Sequence, residues 1–379
     1  MKFFESIERP LRNWIVYPFL RSLLRNPVRD KPVDLGAVER MLIFRHDRIG
    51  DMIVTLPVFR ALKRRAPGMR LVVLASKTNA ELAQNCGWVD EVLTLGNNWF
   101  RLPSQVLDLR RRRFDVVMNF VFNQTTTPAI LANLIAPNGT KVGQGPDRYA
   151  FYFNRIVQLP RFRHHMSEQL AIFVSEIFGI TISEEELQPA LDVPAAQQAV
   201  VDEWLRTNCL HRREVPGGEF LPYVVFNLSA KGWQRIISVE QGALIAAHLG
   251  AHSEFRTVMV YAPDDSLMRS ALDRHSEFER CLSFRTLGRS PLHQLASLIG
   301  GAIAVITPDT SIVHFASAMK TPLLAMYGEY QGAEWEPYRV LHHIIRSEHG
   351  APASGIAPSV LVRKIDEFIA EVINDRKRG

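Results

Sequence analysis

From residue 38 onward, short apolar runs alternate with amphipathic stretches. The runs at 41–44, 71–74, 91–95 and 115–120 are apolar enough, and short enough, to read as buried strands. Between them, 51–65, 79–85 and 105–112 space their apolar residues three or four apart, as helices do. Strands that are apolar on both faces and separated by helices belong in a parallel sheet covered on both sides. The rhythm loosens at 143–194, where a single helical stretch, 167–178, lies among polar, aromatic and proline-containing segments; a domain junction is expected there. A second block follows, with strands at 223–227, 257–261, 302–306 and 323–327, helices at 239–249, 291–298 and 311–319, and a last helix at 360–374. The pattern predicts an α/β chain of two doubly wound, Rossmann-like domains, 38–194 and 195–379, with the carboxyl ends of their strands facing a cleft.

The first 37 residues are patterned differently and form a separate arm. Residues 1–31 set Lys2, Arg9, Arg12, Arg21, Arg25, Arg29 and Lys31 against Glu5, Glu8 and Asp30, with Phe3, Phe4, Ile7, Leu11, Trp14, Ile15, Phe19, Leu20, Leu23 and Leu24 between them at mostly helical spacing. Pro10 and Pro18 favour two short helices over one. Two placements fit a basic amphipathic arm: flat in the headgroup region of an anionic membrane, or folded over an apolar groove of the body.

Composition narrows the class. The chain has 379 residues, 47% of them hydrophobic, enough for two ordinary cores. Cys86, Cys209 and Cys281 are too scattered for a zinc knuckle or a disulfide framework, a usage that suits the cytoplasm. No apolar run reaches the ~18–20 residues of a membrane span, and no cleavable leader is apparent. The formal charge of +6 fits anionic partners, whether anionic sugars, nucleotides, phosphorylated glycolipids or nucleic acid, and charge alone does not choose among them.

Three segments, each between a strand and a helix, carry candidate chemistry. In Arg45-His46-Asp47-Arg48-Ile49-Gly50-Asp51, Gly50 permits close approach and Asp51 lies near a helix start, either as a simple N-cap or as a general base toward a sugar hydroxyl; Arg48 and Gly50 fall on the acceptor side or in the loop. In Thr307-Pro308-Asp309-Thr310-Ser311-Ile312-Val313-His314, Asp309, Thr310, Ser311 and His314 gather at another helix start, suited to a diphosphate or to ordinary capping. In Asn227-Leu228-Ser229-Ala230-Lys231-Gly232-Trp233-Gln234-Arg235, Ser229, Lys231 and Arg235 join small residues to cations that could receive leaving-group charge.

Together these segments resemble glycosyltransferase family 9, the lipopolysaccharide heptosyltransferases. Gly50-Asp51 with Thr55-Leu56-Pro57 looks like the family's first strand, turn and helix, and Phe59 to Lys63 and the later Gly87 to Val92 also match; Asp309-Thr310-Ser311 with His314, then Ala316 and Ala318, followed by Thr321-Pro322 and Tyr327-Gly328, match its second motif. The resemblance covers about residues 38–375. It implies a GT-B fold, an inverting, metal-independent transfer without cofactor, an ADP-heptose donor, a lipopolysaccharide core or similar glycolipid acceptor, Asp51 as base, and Asp309, Thr310, Ser311 and His314 along the donor. The family often has Lys, a variable residue and Trp-Pro where this chain has Arg235-Ile236-Ile237-Ser238, so Lys231 and Arg235 both stand as candidates for the diphosphate contact. A transferase for another nucleotide sugar and a non-catalytic sugar-nucleotide binder are the alternatives. A dehydrogenase is disfavoured because no GxGxxG follows the first strand, and no nucleic-acid-binding module is present.

Overall fold

The computed structural model describes residues 17–24, 26–94, 102–122, 126–214, 219–286, 291–328, 333–348 and 350–378. Residues 1–16 of the expected arm lie outside the described residues. The chain packs as two compact units. The first comprises residues up to Arg48 together with Val58–Arg161 and Ser167–Leu187; the second comprises Ile49–Pro57, Phe162–Met166 and Gln188–Gly379.

In the first unit the strands are β1 (Arg40–Arg45), β2 (Arg70–Ala75), β3 (Glu91–Thr94), β4 (Val116–Asn119), β5 (Thr140–Gln144) and β6 (Arg155–Val157). They form one sheet in the order β3-β2-β1-β4-β5-β6, with every pair parallel. Met41 pairs with Leu71 on one side and Val116 on the other, which fixes the centre of the sheet. The helices along this stretch are α1 (Tyr17–Leu23), α2 (Ile49–Arg65), α3 (Ala80–Gln84), α4 (Leu102–Arg111), α5 (Thr126–Ile135) and α6 (Met166–Phe178). Leu42, Phe44, Val72, Leu74, Val117 and Ile135 share one core cluster, while Ile43 and Val73, on the opposite face of the same strands, are just as buried. Burial on both faces is what the continuous apolar runs of a parallel sheet require.

The second unit repeats the plan. Its strands β7 (Tyr223–Asn227), β8 (Arg256–Val260), β9 (Leu282–Ser283), β10 (Ala304–Pro308), β11 (Leu323–Tyr327) and β12 (His342–Arg346) run parallel in the order β12-β11-β10-β7-β8-β9. Numbered within the unit, this is the same 3-2-1-4-5-6 order as in the first. Its helices are α7 (Ala195–Thr207), α8 (Val239–Gly250), α9 (Ser266–Leu272), α10 (Pro291–Gly301), α11 (Ser311–Ala318) and α12 (Pro358–Arg378). On α12, Leu361, Ile365, Phe368, Ile369 and Val372 fall at helical spacing into the core built on Phe226, Ile306 and Leu324.

In both sheets the strand order reverses between the first and fourth strands, β1/β4 and β7/β10, the place where open α/β sheets bind ligands. The three candidate segments follow β1, β7 and β10. Of the arm, α1 turns Leu20 onto Ala129, Tyr152 and Phe153, with Leu24 just beyond it. Asn26 Nδ2 donates to Asn133 Oδ1 and Phe151 O, and Arg29 N–H to Asn154 O, so this part of the arm is folded on the first unit. No helix among the described residues is long and apolar enough to cross a membrane.

Candidate active site

The turn after β1 is held by buried polar groups of the first unit. Arg45 is 1% exposed; its guanidinium pairs with Asp47 at 3.1 Å and donates to Phe120 O. Asn79, fully buried, donates to Arg45 O at 3.0 Å and Arg48 O at 3.3 Å and accepts from Ser76 N–H at 2.9 Å. A buried side-chain amide that meets its bonding capacity in this way stiffens the backbone around it. Arg48 itself is exposed and is the N-cap of α2, without a side-chain cap bond. Asp51 therefore sits in the first helical turn rather than at the cap, where the helix dipole favours its negative charge. It is buried, and Thr55 Oγ1 donates to its carbonyl at 2.7 Å.

Within the second unit, which includes Ile49–Pro57, Gly50 packs against His314. A Cβ at position 50 would stand 2.5 Å from His314 Cδ2, so the glycine is required by the ring beside it. His314 is buried, edge-on to Trp335 at 5.8 Å, and 6.5 Å from the ring of His165, which stacks on Tyr338 at 4.2 Å. Burial pushes the His314 imidazole down to about 4; the Asp51 charge pulls it back up, and Arg235 adds to the lowering. His165 is pushed to about 3, first by burial and then by His314, against a backbone hydrogen bond at Glu336. Both rings are neutral at pH 7.

The segments after β7 and β10 are tied by one amide. Asn227 Nδ2 donates to Thr307 Oγ1 at 3.0 Å, Thr310 Oγ1 at 3.2 Å and Ser229 O at 3.0 Å. Thr310 is the N-cap of α11, its hydroxyl accepting from Ile312 N–H, and Ser311 is the first helical residue. Ser229 uses its hydroxyl to donate to Asp265 at 2.6 Å and to accept from Ala262 N–H. The two candidate cations differ sharply. Arg235 Nε lies 3.1 Å from Asp309 Oδ2, with the side chains 26% and 14% exposed. Lys231 lies 2.9 Å from Asp264, with the side chains 83% and 68% exposed. The backbone of Gln234 is pinned: its carbonyl accepts from Ala353 N–H at 2.9 Å, and a Cβ on Gly328 would come within 2.1 Å of it.

Inside one unit the structure thus gathers Asp51, Gly50, His314, Asp309, Thr310 and Arg235, leaves Lys231 on the surface, and commits Ser229 to internal bonds. A buried carboxylate, a neutral imidazole and a guanidinium–carboxylate pair can accept a proton and hold an anion. Sequence reading missed Asn79, Asn227 and His165. Asn227 stood inside a quoted motif, but nothing in its neighbours marks it as a hub; His165 lies in the stretch without rhythm.

The family model for glycosyltransferase family 9 (heptosyltransferase) matches residues 105–357. Lipooligosaccharide heptosyltransferase 2 of Haemophilus influenzae is 24% identical over 365 residues, covering 87% of this chain and 99% of that one. Among solved structures, the glycosyl transferase family 9 protein of Veillonella parvula superposes with a TM-score of 0.73 at 15% identity, covering 90% of this chain and 99% of its own. Escherichia coli ADP-heptose lps heptosyltransferase II gives 0.67 at 19% identity, covering 88% and 99%. These likenesses identify the two six-stranded units as the GT-B fold. With the family model spanning well over half of its length, the chain belongs to glycosyltransferase family 9 and is a glycosyltransferase.

Proposed function

We propose that this enzyme transfers heptose, or a closely related sugar, from an ADP-sugar to a lipopolysaccharide core acceptor with inversion and without a catalytic metal ion. The observation that carries the reading is the packing of Gly50 on His314, a buried imidazole whose charge state responds both to Asp51 and to Arg235, the partner of Asp309, within one unit. Asp51 takes the proton of the acceptor hydroxyl as that oxygen bonds to the anomeric carbon of the donor. The bond from that carbon to the diphosphate breaks, and the diphosphate leaves with its electron pair. Arg235 meets the departing charge as a fixed cation, with the start of α11 at Thr310 and Ser311 alongside. His314, kept neutral, can hydrogen-bond without drawing the charge of Asp51 into an ion pair. The names of the relatives, which act on lipooligosaccharide or use ADP-heptose, support the donor and acceptor classes.

Arg235, standing where the family often has Lys, favours a second reading, a different nucleotide sugar, because a guanidinium grips a diphosphate in a planar fork that an ammonium lacks. The working place we propose is the cytoplasmic face of the inner membrane. On α1 and just beyond it, Phe19, Leu23 and Val28 are 63%, 64% and 73% exposed, while Leu20 and Leu24 hold the helix to its unit. Purified protein with ADP-heptose, a truncated core acceptor and excess chelator tests the reading through ADP release, acceptor mass and the anomeric configuration of the product. A heptose increment with inverted configuration is expected. Activity confined to another nucleotide sugar would favour the second reading, and transfer lost in chelator while the melting temperature is unchanged would refute the metal-free route.

A further inference from the structure

Away from the Asp51 cluster, the end of α8 and the middle of α12 bring two histidines and a carboxylate together. We propose that His248, His252 and Asp366 bind one divalent transition-metal ion of the zinc class, and that the ion clamps α8 to the C-terminal helix. The ligand atoms of the three residues lie within 4.8 Å of one another. A tetrahedral ion with bonds of about 2.0–2.1 Å to nitrogen needs donors roughly 3.3 Å apart, a gap that small side-chain rotations close.

The geometry is partly set in advance. His248 occupies the last turn of α8, and Ala251 after it keeps helical dihedrals, so His248 and His252 come out on one face. The His252 ring is held by stacking on buried Phe255 at 4.8 Å, and it meets the His248 ring at right angles with centroids 5.8 Å apart. His248 Nε2 is 2.7 Å from Asp366 Oδ1. Two imidazoles and one carboxylate suit zinc, nickel, cobalt or copper far better than magnesium or calcium, and three protein ligands leave a coordination position for water. His248 and Asp366 are partly exposed, so an ion can enter from solvent.

The expected consequence is structural. α12 supplies the stripe from Leu361 to Val372 to the core, and a cross-link to α8 holds that stripe in place. His248 is ten residues, about 15 Å of helix, from the Ser238 cap at the other end of α8. None of the three ligands belongs to the Asp51 cluster.

The test uses the untagged full chain, stripped with chelator and dialysed, titrated with zinc by calorimetry and with cobalt by visible absorption. Binding of one equivalent, a tetrahedral-type cobalt spectrum and a melting temperature raised by roughly 2–4 °C at saturation are expected. His252→Ala and Asp366→Asn should each weaken binding at least about tenfold. Asp366→Asn keeps a hydrogen-bonding partner for His248 while removing the anionic ligand, so its loss of binding would not be a loss of packing. His343→Gln, which alters the neighbouring pair with Glu371 on the same helix, should leave binding unchanged. No saturable uptake by the wild type, binding that survives both ligand variants, or binding lost in His343→Gln would each overturn the assignment.

Discussion

Both sheets reverse strand order at the same place, and in each a buried asparagine braces the segment after the first strand, Asn79 reaching it from the loop after β2 and Asn227 standing at the end of β7 itself, but the two amides do different work. Asn79 in the first unit bonds only to backbone: Arg45 O, Arg48 O and Ser76 N–H. It fixes the path of the chain into α2 and leaves the Arg48 side chain exposed. Asn227 in the second unit bonds to the hydroxyls of Thr307 and Thr310. One amide shapes the backbone leading to the proposed base; the other organises the side chains of a loop pair proposed to hold the donor. A repeated scaffold can thus be specialised by what a single buried amide is bonded to.

The comparison is broken most severely by removing the cation proposed to meet the donor's diphosphate. Arg235→Ala is expected to lower kcat/KM for the donor by roughly 10²–10³, with partial recovery in Arg235→Lys, as measured in steady-state kinetics with varied nucleotide sugar. Next comes acid. His314 and His165 have native pKa values depressed to about 4 and about 3 from 6.5, so between those values and 6.5 the unfolded chain binds more protons than the native one. Stability should be full above pH ~6.5 and fall as pH drops toward 4, by on the order of 3 kcal/mol from His314 alone. Melting temperatures from pH 7 to 4.5 should fall less steeply for His314→Gln than for the wild type.

The asparagines then separate. Asn79→Ala and Asn227→Ala should each cost about 1–3 kcal/mol in denaturant unfolding, from the buried groups left without partners. Their kinetics should differ: Asn79→Ala lowers kcat at nearly constant donor KM, and Asn227→Ala raises donor KM. Equal effects on both constants in both variants would erase the distinction drawn between the two amides. The smallest effect belongs to Lys231→Ala, which should stay within roughly threefold of the wild type, since its pair with Asp264 lies in solvent.

The architecture was largely legible because both sheets are built from continuously apolar strands. The spans at 223–227 and 323–327 coincide with β7 and β11, and most others differ only at their ends. Among what escaped were elements whose burial the residue types conceal. β5, Thr-Lys-Val-Gly-Gln, reads as polar, yet Lys141 is 1% exposed and donates to the carbonyls of Ala136, Pro137 and Gly139 just past α5. Burial, with Arg29 nearby, pushes its ammonium down to about 8. α7 buries little beyond Val201 and Leu205, too sparse a stripe to register as a helix, and β6 spans three residues. The parallel arrangement follows from the alternation; the strand order does not, because nothing local records which neighbour a strand takes.

In the candidate site, the first and third segments illustrate two limits. Gly50 was legible as a close-approach glycine, but only the fold shows that the approaching group is His314. Lys231 and Arg235 are four residues apart and equivalent by charge, and the loop's anchorage through Gln234 and Asp309 is what separates them.

Whether Asp51 takes the acceptor's proton is tested most directly by single-turnover transfer in Asp51→Asn, with donor affinity measured by calorimetry on the same preparation. A transfer rate lowered roughly 10²–10⁴-fold with donor affinity nearly unchanged is the predicted result. Transfer at close to the wild-type rate would contradict it and move the base to another residue.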